Sequence, residues 1–173
     1  MRLVSITDTA FMRATVVLAA ISACVVGISS APGATGRADA RLSRIEVVSK
    51  VISVRSVDES PKGPSVGDRT HEQTRLFNAV RQWGKPAGAA VGRDRATFTL
   101  VARSTVAIDG VTFLPGGTLV LSGRLRADPG RQAVAAPVVS GTGSYAGAHG
   151  SVSILQRPNP PRTVNVYALK YRG

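Results

Sequence analysis

From residue 42 onward, apolar side chains recur at every second position in one segment after another, and no segment carries a convincing helical period. A period of two places alternate side chains on opposite faces of an extended strand, so a chain built this way must pair its strands into a sheet. Residues 96–108, ATFTLVARSTVAI, show the pattern most cleanly: Phe98, Leu100, Ala102, Val106 and Ile108 share one parity, and Thr97, Thr99, Arg103 and Thr105 share the other. That is the signature of an antiparallel strand with one buried face. Residues 118–126 repeat it, with Leu119, Leu121, Gly123 and Leu125 inward and Ser122, Arg124 and Arg126 outward. Similar segments lie at 42–54, 68–80, 87–91, 132–139, 151–157 and 163–171, separated by turn-forming runs such as DESPKGPSVG at 58–67, Asp109-Gly110, and Pro115-Gly116-Gly117. The segment at 68–80 fits a helix as well on spacing alone, and its β-rich context decides for strand. Eight short strands with turns every 8–14 residues predict an all-β domain: an eight-stranded antiparallel β-barrel, or a sandwich. Closure leaves no exposed edge, and a barrel of this size has room for packed side chains or one small ligand.

The stretch VVSGTGSYAGAHG, residues 138–150, holds four glycines around Tyr145. Glycine at that density costs backbone entropy and implies left-handed dihedrals or close backbone approach. The string GTGSYA matches the dinucleotide fingerprint G-x-G-x-x-A, which requires a helix after it and an acidic residue about 20 positions on. The following SVSILQRP alternates as a strand, and no acid stands near Pro161 to Asn165. No Lys-Ser or Lys-Thr follows the glycines, which excludes a P-loop. The stretch is read as a tight glycine corner between antiparallel strands.

The N-terminus reads differently. Residues 14–28, ATVVLAAISACVVGI, follow Arg13 and form the longest apolar run, short of the roughly 20 residues a membrane span needs. Ala38-Asp39-Ala40 supplies a small-x-small cleavage site. Residues 1–40 are therefore expected to be a secretory signal peptide, with Met12 as an alternative start, and residues 41–173 a single barrel domain, secreted to the extracellular space. Ile21-Ser22-Ala23-Cys24 resembles a bacterial lipobox, a minority reading because the chain stays apolar after Cys24. Cys24 is the one cysteine, so the mature domain is expected to stand on its core without disulfides.

The chain carries 22 Lys+Arg against 10 Asp+Glu, net +12. An excess of this size suits nucleic acid, an anionic polymer or a membrane surface. Yet the arginines are dispersed singly, and aromatics are too few for a base-stacking platform, so neither nucleic acid nor, after signal removal, a membrane is expected as a partner. A basic exported protein that binds an anionic polymer is the weaker alternative.

SGTGSYAGAHG resembles the G-G-T-G-x-Y-x-G-A-x-G signature of dirigent proteins and the corresponding corner of plant allene oxide cyclases. Val66-Gly67-Asp68, Gly84-Lys85-Pro86-Ala87-Gly88, the strand from Gly116-Gly117 to Gly123, and the close Tyr167-Ala168-Leu169-Lys170 are similar to that superfamily's landmarks in the same order. The resemblance covers most of 66–171. It implies an eight-stranded antiparallel barrel with an apolar lumen, often a homotrimer. The plant cyclases use a lumen set of glutamate, asparagines and cysteine. By-eye alignment puts Ser53 and Arg55, Thr74 and Ala90 at those positions, so on this alignment the polar set is missing. The signature also departs at Ser140, where a glycine is usual, and at His149, where many dirigents have arginine.

His71 and His149 are the only histidines, so no metal cluster is legible and no cofactor is expected. No G-x-S-x-G elbow occurs, and no hydrolase triad is legible. The polar groups available to a ligand are Asn78, Tyr145, His149, Asn165 and Tyr167, while no residue stands out as catalytic. Trp83, in a turn, is expected to cap a barrel end. The sequence thus points to a secreted dirigent-like barrel that binds an apolar or phenolic small molecule and is not an enzyme, or only steers its ligand's reaction. The alternative is a lumen cyclase or isomerase of the allene oxide cyclase type. A carboxylate pointing into the barrel separates the two.

Overall fold

The structure is a computed structural model that describes residues 42–126, 133–158 and 161–172. The apolar run, Cys24 and Ala38-Asp39-Ala40 lie outside the described residues. Eight strands follow in chain order: β1 (Arg44–Val57), β2 (Arg69–Asn78), β3 (Ala90–Ala102), β4 (Thr105–Leu114), β5 (Gly117–Arg126), β6 (Ala133–Gly143), β7 (Ala148–Pro158) and β8 (Pro161–Tyr171). Each pairs antiparallel with the next, and β1 pairs with β8, closing the barrel. The expected architecture is the observed one, and no described residue is helical.

Alternation decides what the barrel encloses. Ile45 and Val47 of β1, Leu76 of β2, Leu119 and Leu121 of β5, Ala136 and Val138 of β6, Val152 of β7 and Leu169 of β8 form one buried cluster. Each such leucine or isoleucine contributes about 1.5–3 kcal/mol by leaving water. The intervening residues, such as Arg93 and Arg95 on β3 or Arg124 on β5, are exposed.

The third and fourth strands differ from the expectation. Residues 87–91 are not a strand of their own, and 96–108 is not one strand but the β3–β4 hairpin turning at Arg103-Ser104. Neither turn residue has positive φ, so the turn needs no glycine and leaves no compositional mark. Phe98 pairs with Ile108 and Leu100 with Val106, so these four keep the parity read from the sequence. The register shifts between Leu100 and Ala102, and Ala102, expected inward, is exposed and pairs with Thr105. Asp109-Gly110, read as a turn, lies inside β4. The β4–β5 hairpin does turn at Pro115-Gly116, with Gly116 at φ 89°.

One end of the barrel is plugged. The glycine stretch turns between β6 and β7 there and presents Tyr145, 2% exposed, to the interior. Gly143 sits at φ 60°, and a Cβ on it would lie 2.1 Å from Gly116 O. A Cβ on Gly141 would lie 2.3 Å from Tyr145 O. The corner is therefore glycine because backbone meets backbone. Trp83 packs against the core and donates from Nε1 to Tyr145 Oη at 3.1 Å, and Tyr145 donates to Pro115 O at 3.1 Å.

Candidate functional site

Above the plugged floor, β2, β3, β4 and β8 bring polar side chains into the lumen. On β2, even-numbered residues face inward: Thr70, Glu72, Thr74, Leu76 and Asn78. On β3 the inward set is Asp94, Ala96, Phe98 and Leu100, because Thr74 pairs with Asp94, Glu72 with Ala96, and Thr70 with Phe98. Asp94 pairs in turn with Thr112 on β4. From the opposite wall, β8 contributes Tyr167 and Asn165, and Asn165 pairs with Val47 and with Ile154.

These groups touch. Thr74 Oγ1 donates to Asp94 Oδ2 at 3.2 Å. Thr112 Oγ1 and Tyr167 Oη are 3.0 Å apart, and both residues are fully buried. Asp94 Oδ1 and Asn165 Oδ1 are buried with no hydrogen-bond partner. Phe98, Leu100 and Ile154 are half-buried nearer the open end. The lumen is thus a cup: a plugged floor, a polar layer, and apolar walls leading out.

Burial sets the charge state of the polar layer. It pushes the Asp94 carboxyl up to about 6, against the opposing pull of the Thr112 and Thr74 hydroxyls. Glu72 is also raised, first by burial and then by the charge of Asp94. Tyr167 is held well above the ordinary phenol range by burial, with the Asp94 charge acting in the same direction. Asp94 therefore loses its proton near neutrality, while Tyr167 keeps its own.

Of the five residues the sequence singled out, two lie in this layer: Asn165 and Tyr167. The other three do not. Asn78 is 1% exposed at the floor, and its amide nitrogen donates to the carbonyls of Gln82, Lys85 and Pro86 at 3.1, 3.0 and 3.2 Å. It ties down the turn that carries Trp83. Tyr145 is spent on Trp83 and Pro115, and burial pushes its phenol up to about 12. His149 pairs in register with Lys170, between the inward positions Ala148 and Gly150, and so faces outward. His71 is on the outer face too, with Nδ1 3.0 Å from Thr97 Oγ1.

The alignment with the plant cyclases leaves their polar set missing, yet two other carboxyls, Asp94 and Glu72, face the lumen. Ser53 falls at the β1 bulge and Ala90 at the start of β3, both exposed, whereas Thr74 does face inward. The alignment looked for a carboxylate on β1, and the barrel carries it on β2 and β3. The signal was present: the parity of Phe98 and Leu100, carried back four residues, reaches Asp94. A break placed at 92–95, between the strands expected at 87–91 and 96–108, hides it.

No family model and no curated protein matches the sequence. Solved structures match the fold. A pyocyanin demethylase is 17% identical at TM-score 0.59, over 73% of this chain and 99% of that one. The exo-specific intermolecular Diels–Alderase AbnU is 13% identical at TM-score 0.56, over 73% and 98%. A pterocarpan synthase dirigent protein is 14% identical at TM-score 0.54, over 86% and 100%. The chain is a closed eight-stranded barrel of the architecture seen in dirigent proteins and Diels–Alderases. At these identities the likeness is one of fold, and the resemblance drawn from the glycine signature agrees with it.

Proposed function

We propose that this barrel binds an apolar small molecule in its lumen and promotes its cyclisation or isomerisation there, with Asp94 as the group that meets the reacting atoms. The observation that carries this reading is the Asp94 carboxyl: buried, bonded through one oxygen to Thr74, and free at the other. A carboxylate whose pKa lies near the working pH is suited to taking a proton or to stabilising positive charge as it develops. Either role typically supplies a large factor, of order 10²–10⁴ for general acid–base assistance. Passive steering by lumen shape, the first expectation from the sequence, is the second reading. It is supported by the half-buried Phe98, Leu100 and Ile154, which need no chemistry to orient an apolar ligand. The names of the similar structures, a demethylase, a Diels–Alderase and a dirigent protein, suit a lumen where small molecules react. Export, with removal of residues 1–40, belongs to the same proposal.

The test pairs binding with turnover. The neutral apolar fluorophore Nile red should bind saturably to the wild type, and Ala96→Trp, which fills the lumen beside Glu72, should abolish that binding. An allene oxide supplied as its methyl ester should give cyclised product in enantiomeric excess with the wild type and racemic product with Asp94→Asn. Saturable binding with racemic product from both proteins would leave the lumen reading and remove the role of Asp94. No saturable binding at all would remove both.

A further inference from the structure

The donors and acceptors in the polar layer are unequal. Thr74 spends its hydroxyl hydrogen on Asp94 Oδ2. Thr112 Oγ1 and Tyr167 Oη satisfy one another at 3.0 Å, with either able to donate. Asn165, two residues before Tyr167 on β8, leaves its side-chain oxygen buried without a partner. Among the described residues, the buried side-chain polar atoms left without a partner are all acceptors: Asn78 Oδ1 at the floor, and Asp94 Oδ1 and Asn165 Oδ1 in the polar layer, the last on a side chain 7% exposed. Glu72 adds a second carboxyl on the open side of Asp94, close enough for the Asp94 charge to raise it.

Among the described residues no cation answers these carboxyls. Arg93 and Arg95 flank Asp94 in sequence, and alternation turns both outward, Arg93 onto the ring of Phe113 at 4.9 Å. Arg75 beside Thr74 is likewise exposed. Among the described residues the ion pair is Arg44–Glu46, on the outer surface. The titratable groups facing Asp94 from the packed strands are Glu72 on β2 and Tyr167 on β8, and neither carries positive charge. In a protein of net charge +12, the described residues thus turn two carboxyls and no cation into the lumen. A buried carboxylate without a partner is costly, and a bound positive charge is what offsets that cost.

We propose that the lumen ligand is an organic cation: an apolar molecule whose inserted end carries a protonated amine or similar N–H-bearing positive group, received by Asp94 Oδ1, Asn165 Oδ1 and Glu72. This rests on the lumen-binding reading above and names its ligand class. The surface charge works against such a ligand from outside, so a preference for it can only originate in the lumen. Fit to Asp94 and Asn165 then selects donors, and fit to Phe98, Leu100 and Ile154 selects the apolar body.

The experiment compares three probes with one ring system by calorimetry on the purified protein at neutral pH: 1-naphthylmethylamine, 1-naphthalenemethanol and 1-naphthoate. The amine should bind about tenfold or more tighter than the alcohol, the gain expected of a charge-assisted hydrogen bond over a neutral one. The anion should bind weakest. Asp94→Asn should bring the amine down to the affinity of the alcohol, and Glu72→Gln should do so in part. Equal affinity for amine and alcohol, or tighter binding of naphthoate, overturns the cation while leaving a lumen that binds small molecules. A cation preference that survives both substitutions overturns the assignment to these residues. Failure of all three probes to bind saturably overturns the lumen reading itself, and the cation with it.

Discussion

The hydroxyls of Thr112 and Tyr167 meet at 3.0 Å across the barrel, from β4 and β8, strands that lie on opposite sides of the closed ring. The Tyr167 side chain therefore spans the lumen and divides it. Below lie Leu76, Leu119, Leu169 and the Trp83–Tyr145 plug; above lies the open cup with Asp94 and Glu72. The division explains how a barrel of this width can hold both a packed core and a site.

The stability of the protein should fall as pH rises from about 4 to about 6. The Asp94 pKa is raised from 3.8 to about 6 in the fold, so between those values the native state binds more protons than the unfolded chain. Stability from this source is then fully present below the unfolded pKa and is lost as pH rises through the folded one. At 1.36 kcal/mol per unit the loss is roughly 3 kcal/mol at most, and Glu72 acts in the same direction. Urea titrations of Asp94→Asn between pH 4 and 7 should show most of that slope gone and a protein more stable than wild type at pH 7. An unchanged slope would contradict the burial of Asp94.

Tyr145→Phe should destabilise by about 1–3 kcal/mol. The substitution leaves Trp83 Nε1 without its acceptor and Pro115 O without its donor, both at the plugged end. Chemical denaturation measures the loss. Trp83 fluorescence should shift to the red in the variant as the indole gains access to water.

Gly143→Val should also destabilise, by about 1–3 kcal/mol or more. The position combines φ 60° with a backbone oxygen 2.1 Å from where a Cβ would stand. The loss should appear as a lower midpoint in a thermal melt. An equal melt for the two proteins would mean that the β6–β7 corner does not need glycine there.

The exported protein should begin near Arg41, since Ala38-Asp39-Ala40 is the cleavage site that follows the apolar run. N-terminal sequencing of secreted material checks this directly. A lipid-modified terminus at Cys24 would show the lipobox reading to be the right one.

What the sequence determined by itself is what depends on near neighbours along the chain. The inward face of β5, Leu119, Leu121 and Leu125, follows from a period of two, and pairing with β4 and β6 only ratifies it. The corner at Gly143 was legible because positive φ and close backbone approach exclude nearly every other residue. The β3–β4 turn was not legible, because Arg103-Ser104 turns without positive φ and any residue pair will serve. The site belongs to tertiary structure. Asp94 looks like a surface residue between two arginines, and Thr112 is 55 positions from Tyr167. Only closure of β8 onto β1 sends Tyr167 and Asn165 across the lumen toward β2, β3 and β4, where burial changes what a carboxyl does. A local pattern can say which way a side chain points. It cannot say what stands opposite, because that is set by which strands close the ring, and it is the opposite wall that turns Asp94 from a solvated charge into a site.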